Sequence, residues 1–113
     1  AAAIAALRRV AGRLDTGEGR SDVLLLAGQV AARLGGPQDA TAAQLFDEIA
    51  RAGGAGAAPP AAELEWARLL VRQGRAADAV QRLEHLILTY PGSAFVPEAR
   101  RELERARGAI PRS

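Results

Sequence analysis

Apolar residues recur every three or four positions in six separate stretches of this sequence, and glycine or proline interrupts the pattern between them. That spacing places the apolar side chains on one face of an α-helix. The interruptions separate helices, because glycine frees the backbone and proline cannot continue a helix. Composition agrees, since alanine, leucine and arginine favour helices and strand-favouring residues are sparse. We therefore predict an all-α fold of antiparallel helix pairs joined mostly by short turns.

The interruptions divide a single domain of 113 residues into five segments. They are a leading helix at 1–16, a helix pair at 21–52, a linker of glycine, alanine and proline at 53–60, a second helix pair at 61–91 and a final helix at 94–109. Ser21 is the expected N-cap of the second helix. Pro59 and Pro60 are expected to block a helix and leave the linker irregular. The leading helix has no evident pair, and we expect upstream sequence to have covered it.

Composition excludes several kinds of site. The chain has no cysteine, so disulfides, thiolate metal sites and cysteine catalysis are excluded. All 15 basic residues are arginine, yet the net charge is only +2, so the pI of about 10.3 is weak evidence for a nucleic-acid partner. No apolar run approaches the roughly 18–20 residues of a membrane span.

The fourth and fifth helices carry small and bulky residues at regular spacing. Ala67, Ala79 and Pro91 follow one another at intervals of 12 residues. This pattern resembles the tetratricopeptide repeat, in which two small residues lie where paired helices cross closely. The residues that carry the resemblance are Trp66, Ala67, Leu70, Gly74, Ala79, Leu83 and Pro91. It implies a short right-handed superhelix of helix pairs whose last helix is a polar cap.

The second and third helices resemble a degenerate copy of the same repeat. Gly28 and Ala42 take the small positions, and Phe46 and Ile49 take the packing positions. The two small residues are 14 positions apart rather than 12, because the turn between the helices is longer. A helical bundle of another kind remains the alternative to stacked repeats.

The segment from Leu88 to Ala99 resembles a narrower group within that family. Its Tyr-Pro-Gly-Ser motif and the Glu-Ala that follows are similar to bacterial cell-envelope repeat proteins, such as outer-membrane assembly lipoproteins and the Tol–Pal coordinator. That resemblance implies a location in the periplasm or cell envelope. The chain does not begin with methionine, so we interpret it as a processed or excised product.

The resemblance implies a protein-interaction scaffold, or a subunit of a larger envelope or membrane-associated complex. In the family's geometry the first helix of each pair lines a concave face. The residues predicted to bind a partner there are Leu25, Gln29, Arg33, Leu64, Arg68 and Arg72. Because arginine pairs bidentately with carboxylates, the groove suits an extended peptide or helix with acidic residues. The alternative is that these arginines are only solvated.

No residue set suggests catalysis. His85 is the single histidine and is expected at a solvent boundary, so we predict no metal site and no cofactor. Glu63 and Glu65 are expected on a wet surface rather than as an acid–base pair. The glycines of 53–56 lack the Lys-Ser/Thr of a phosphate loop. We expect no enzyme activity and no small-molecule substrate.

An alternative function uses the arginines themselves. Arg8, Arg9 and Arg13 form a basic side of the leading helix and suggest binding to nucleic acid or an anionic membrane surface. A nucleic-acid site normally carries more uncompensated charge and aromatic stacking residues than this chain offers. We therefore expect a protein partner first, with peripheral membrane association as a further option.

Overall fold

The computed structural model describes residues 2–14 and 17–111, and these ranges contain six α-helices. The helices are α1 (Ala2–Arg13), α2 (Glu18–Leu34), α3 (Gln38–Ala52), α4 (Ala58–Arg72), α5 (Ala76–Thr89) and α6 (Val96–Ala109). Each helix packs against the next one along the chain. The described residues contain no strand, so the all-α prediction is confirmed.

The helices form two layers. In the first, the even layer, α2 contacts α4 and α4 contacts α6. In the second, the odd layer, α1, α3 and α5 contact only even-layer helices within the described residues. The Cα atoms span 47 × 33 × 17 Å, and the shortest dimension matches two helix layers packed about 10 Å apart.

The central helix α4 joins two hydrophobic cores. Phe46 and Ile49 lie in the first core, which extends over α1 to α4. Leu83 and Leu103 lie in the second core, which extends over α4 to α6. Trp66 packs against both cores. The two helix pairs are therefore held together through α4 as well as through their own contacts.

The helices α2 and α3 cross closely at Gly28. A Cβ atom added to Gly28 would lie 2.5 Å from a ring carbon of Phe46, so the ring occupies the space that any side chain would need. In the second pair, Ala67, Ala79 and Leu83 are fully buried. The small and bulky residues of the repeat pattern thus lie between the helices of each pair.

Two predicted boundaries are wrong. Helix α2 begins at Glu18 after Gly17, and the backbone N–H of Ser21 donates to the Gly17 carbonyl, so Ser21 lies inside the helix rather than capping it. Helix α4 begins at Ala58 and includes Pro59 and Pro60, which are buried. Proline fits this first turn because the N–H that it lacks would have no helical partner there. The irregular segment therefore ends before Ala58.

The leading helix also differs from the expectation. Helix α1 packs along α2 and buries Ile4 and Ala11, so the prediction that it has no pair is wrong. Helix α6 buries a stripe that includes Val96 and Leu103. None of the helices in the described ranges is both long and apolar enough to cross a membrane.

Candidate interaction surface

A groove of about 330 Å³ lies between α2 and α4 on the even layer. The residues that line it are Gln29, Ala32, Arg33, Glu65, Arg68, Leu69 and Arg72. Four of the residues predicted to bind a partner therefore come together here, although they are separated by more than 30 positions in sequence. We call this feature the even-layer groove.

The two predicted leucines lie elsewhere. Leu25 is half-buried and packs against the first core. Leu64 is only 2% exposed and belongs to the second core, because residues of α5 and α6 pack over that side of α4. A partner cannot reach Leu64 in this fold, so its predicted role in binding is wrong.

Arg68 is bound by carboxylates of the chain itself. Its Nη2 donates to Oε2 of Glu98 at 2.9 Å, its Nη1 donates to Oε1 of Glu65 at 3.2 Å, and its Nε lies 3.6 Å from Oε1 of Glu102. Burial opposes the guanidinium charge, but the hydrogen bond to Glu98 and the three negative charges outweigh it and raise the pKa of Arg68. Arg68 therefore braces α4 against α6.

Arg72 forms a second brace. Its Nη2 donates to Oδ1 of Asp39 at 2.7 Å and to the backbone carbonyl of Ala32 at 3.4 Å. These contacts tie α4 to the start of α3 and to α2. Arg33 is exposed and makes no ion pair within the described residues. Of the three arginines in the predicted row, Arg68 and Arg72 therefore join helices, and Arg33 has no ion pair among the described residues.

The most unusual polar group lies on the side of α4 that faces α5. The Glu63 side chain is 0% exposed, although the sequence predicted a wet surface for it. Nδ1 of His85 lies 3.0 Å from Oε1 of Glu63 and donates to it in the tautomer that carries the Nδ1 proton. Oε2 makes no hydrogen bond with the described residues, and Nη1 of Arg82 lies 3.7 Å from it.

Burial is the largest influence on the Glu63 carboxyl. It raises the pKa of Glu63, although the charges of Arg82 and His85 and the hydrogen bond to His85 oppose it. The Asp47 carboxylate adds a smaller effect in the raising direction. His85 itself is 46% exposed and so lies at the boundary where the sequence placed it.

The burial of Glu63 had a signal in the sequence. Glu63 precedes the small residue Ala67 by four positions, just as the buried Leu24 precedes Gly28 in the first pair. Residues four positions apart share a helix face. Aligning the two pairs would therefore have placed this carboxylate in the core.

An outer groove of about 510 Å³ runs between α3 and α5, with Trp66 and Leu70 of α4 lining it beneath. The Arg82 guanidinium lies 5.1 Å from the centre of the Trp66 ring, within the range of a cation–π interaction. Among the described residues, no three His, Asp or Glu side chains are grouped so that they could hold a metal ion.

No protein-family model, curated protein or solved structure matches this chain. The resemblance to the tetratricopeptide repeat therefore depends on the residue pattern of the sequence.

Proposed function

We propose that this chain is a non-catalytic protein-interaction scaffold of the tetratricopeptide kind, or a subunit of a larger complex of the bacterial envelope. It binds a segment of its partner across the face formed by α2, α4 and α6. The main support is that α2 packs against α4 and α4 against α6, while within the described residues each odd-layer helix contacts only even-layer helices. Equivalent helices in succession give repeat proteins their extended binding surfaces.

The hydrogen-bond donors of the even-layer groove differ in whether they already make an ion pair with the described residues. Gln29 and Arg33 offer polar groups, and Arg33 makes no ion pair with the described residues. Arg68 and Arg72 are 42% and 52% exposed, and exposed ion pairs stabilise a protein only weakly. A carboxylate of the partner can therefore replace Glu98 or Asp39 at small cost.

The charge around the groove favours a partner that carries both basic and acidic side chains. Each guanidinium released by Asp39 or Glu98 leaves a carboxylate of the chain without its own partner. A bound segment with basic as well as acidic side chains restores both pairs, whereas a uniformly anionic ligand restores only one. This argument favours a peptide or helix over nucleic acid or an anionic membrane.

The test compares a groove variant with a matched surface variant. Arg33→Glu reverses a groove charge that has no ion pair among the described residues, and Arg51→Glu reverses an 80% exposed charge on the odd layer. We expect crosslinked capture of a protein partner from native extract by the wild type and by Arg51→Glu, and its loss with Arg33→Glu. Variants of Arg68 or Arg72 are less informative, because they also remove a brace.

Binding measured against duplex DNA, RNA and anionic vesicles tests the alternative. Affinity that falls steeply with salt, together with no captured protein, would favour the arginine-mediated function over the scaffold. Equal capture by wild type and Arg33→Glu would place the binding surface outside the even-layer groove.

A further inference from the structure

Exposed apolar side chains are concentrated at one edge of the fold. Of the six large hydrophobic residues that are exposed in the described ranges, three lie on α1 and α2 and a fourth directly follows α1. They are Val10, Leu14, Leu26 and Leu34, and we call this surface the α1–α2 edge. Leu26 and Leu34 are 49% and 56% exposed. At the opposite edge, α6 exposes mainly arginine and glutamate side chains instead.

Two charged residues flank the apolar centre of this edge on α2. Asp22, Leu26, Gln29 and Arg33 are spaced by four, three and four positions, so they form one stripe along the helix. Asp22 and Arg33 are exposed, and neither forms an ion pair within residues 2–14 and 17–111. The stripe has an acid at one end, a base at the other and an apolar side chain between them.

Such a stripe is complementary to its own reversed copy. In an antiparallel pairing of two α2 helices, Asp22 of each copy lies opposite Arg33 of the other. The two-fold axis then passes beside residues 27 and 28, and the two Leu26 side chains lie about 4.5 Å apart along the helix direction, where they can pack across the axis. A two-fold interface requires this self-complementarity, because each residue's contact occurs twice.

The same rotation also brings the outer leucines together. A Cβ atom on Gly19 would lie 3.8 Å from Cδ1 of Leu14, which fixes the end of α1 beside the start of α2. Reversing α2 about residues 27 and 28 carries the level of Gly19 to that of residue 36. Leu14 of one copy therefore lies near Leu34 of the other.

We propose that the α1–α2 edge binds a second copy of this chain in an antiparallel two-fold dimer whose axis passes beside residues 27 and 28 of α2. The observations that carry it are the concentration of exposed apolar residues and the opposite charges of Asp22 and Arg33, which share one stripe with Leu26 and form no ion pair within the described residues. This inference goes beyond the proposed function, and because Gln29 and Arg33 belong to both surfaces, a second copy and a partner in the even-layer groove would compete for them.

The first test is analytical ultracentrifugation of the purified chain across micromolar to millimolar concentrations. We expect a monomer–dimer equilibrium in which Leu26→Glu raises the dissociation constant at least about tenfold, because the dimer would bury two unpaired carboxylates. Leu88→Glu is the matched control: Leu88 is 81% exposed on α5, far along the chain from this edge, and we expect no change. Circular dichroism verifies that each variant is folded.

The second test is a charge reversal. Asp22→Arg alone and Arg33→Asp alone should each weaken the dimer, because each places like charges opposite one another across the axis. Both changes in one chain should restore the wild-type dissociation constant, since the opposed pairs regain opposite signs. Rescue of this kind would not occur if the two residues only affected folding.

Several results would overturn the proposal. A chain that stays monomeric throughout the concentration range would show that a different helix or protein covers the edge. A dimer that is unaffected by Leu26→Glu, or single reversals that are not rescued by the double change, would place the interface elsewhere. Leu26→Glu that is monomeric yet still captures a partner would support both the dimer and the groove, because Leu26 does not line the groove.

Discussion

In the helix pairs α2–α3 and α4–α5, residues of different size lie at the equivalent position, where the two helices of the pair cross. In the first pair, Gly28 provides no side chain and the Phe46 ring occupies the space. In the second, Ala67 adds a methyl group and the bulky residue is the smaller Leu83, and both are fully buried. The repeat pattern therefore specifies the combined volume at the crossing, and a smaller residue on one helix allows a larger one on the other.

The pairs also differ one turn before that crossing. The first pair has Leu24, which is 4% exposed, whereas the second has Glu63, which is fully buried. A buried carboxylate loses its hydration, and contacts with His85 and Arg82 offset only part of that loss. Within the described residues, the first pair thus buries no charged side chain, while the second buries one.

The largest expected effect is the loss of stability when the bulky residue at each helix crossing is replaced by alanine. Phe46→Ala should destabilise the chain by about 3–5 kcal/mol, because it leaves a cavity that Gly28 has no atoms to fill. Leu83→Ala removes fewer atoms opposite a residue that already has a methyl group, so it should cost less, about 2–4 kcal/mol. Chemical denaturation of both variants measures the difference. A larger loss for Leu83→Ala would contradict the volume argument.

Exchanging residues between the pairs tests that argument directly. Gly28→Ala should cost about 1–3 kcal/mol, because the new methyl group meets the Phe46 ring. Adding Phe46→Leu recreates the combination found in the second pair and should recover most of that loss. A double-mutant cycle measures the coupling between the two positions.

The control for this exchange is Ala67→Gly, which removes a methyl group from the second pair without a compensating ring. It should destabilise through the lost contact and the glycine within a helix, by about 1–2 kcal/mol. Additive effects of Gly28→Ala and Phe46→Leu would show that the two side chains do not share one space.

The buried carboxylate predicts a pH dependence confined to the second pair. Because the pKa of Glu63 is raised in the folded chain, protons bind it more tightly there than in the unfolded chain. Its contribution to stability is therefore complete below its ordinary pKa of 4.5 and is lost as pH rises through the raised value. Glu63→Gln, which cannot ionise, should gain stability relative to the wild type over that rise.

The measurement is the free energy of unfolding of both proteins from pH 4 to pH 7. Asp47, Arg82 and His85 also face this carboxyl, so Asp47→Asn serves as the control and should change the slope less. Parallel curves for wild type and Glu63→Gln would contradict a raised pKa.

The features that could be predicted from the sequence are local ones. Periodic apolar residues predicted the helices, and the small residues Gly28 and Ala67 were expected at the helix crossings. Residues three or four positions apart lie on one face of a helix, so a local sequence pattern is enough to predict these features. The start of α4 was missed because proline is compatible with the first turn of a helix as well as with a break.

The features that could not be predicted depend on which helices pack together. Arg68 and Arg72 stand out as a basic row in the sequence, but their partners Glu98 and Asp39 are 30 and 33 positions away. Leu64 was expected to be accessible and is covered by other helices. Local periodicity does not show which side of a central helix such as α4 is left open.

The smallest expected effect concerns the joint between the two pairs. The ion pair of Arg72 with Asp39 joins α4 to α3, but Arg72 is 52% exposed and the pair is screened by solvent. A double-mutant cycle with Arg72→Gln and Asp39→Asn should therefore give a coupling energy of only about 0.2–1 kcal/mol. The coupling should fall further at about 1 M salt, where the Debye length is roughly 3 Å.

A coupling energy above about 1 kcal/mol that persists in high salt would mean that the ion pair of Arg72, rather than the apolar core around α4, fixes how the helix pairs pack together. A coupling near zero would leave that role to Trp66, which packs against both cores.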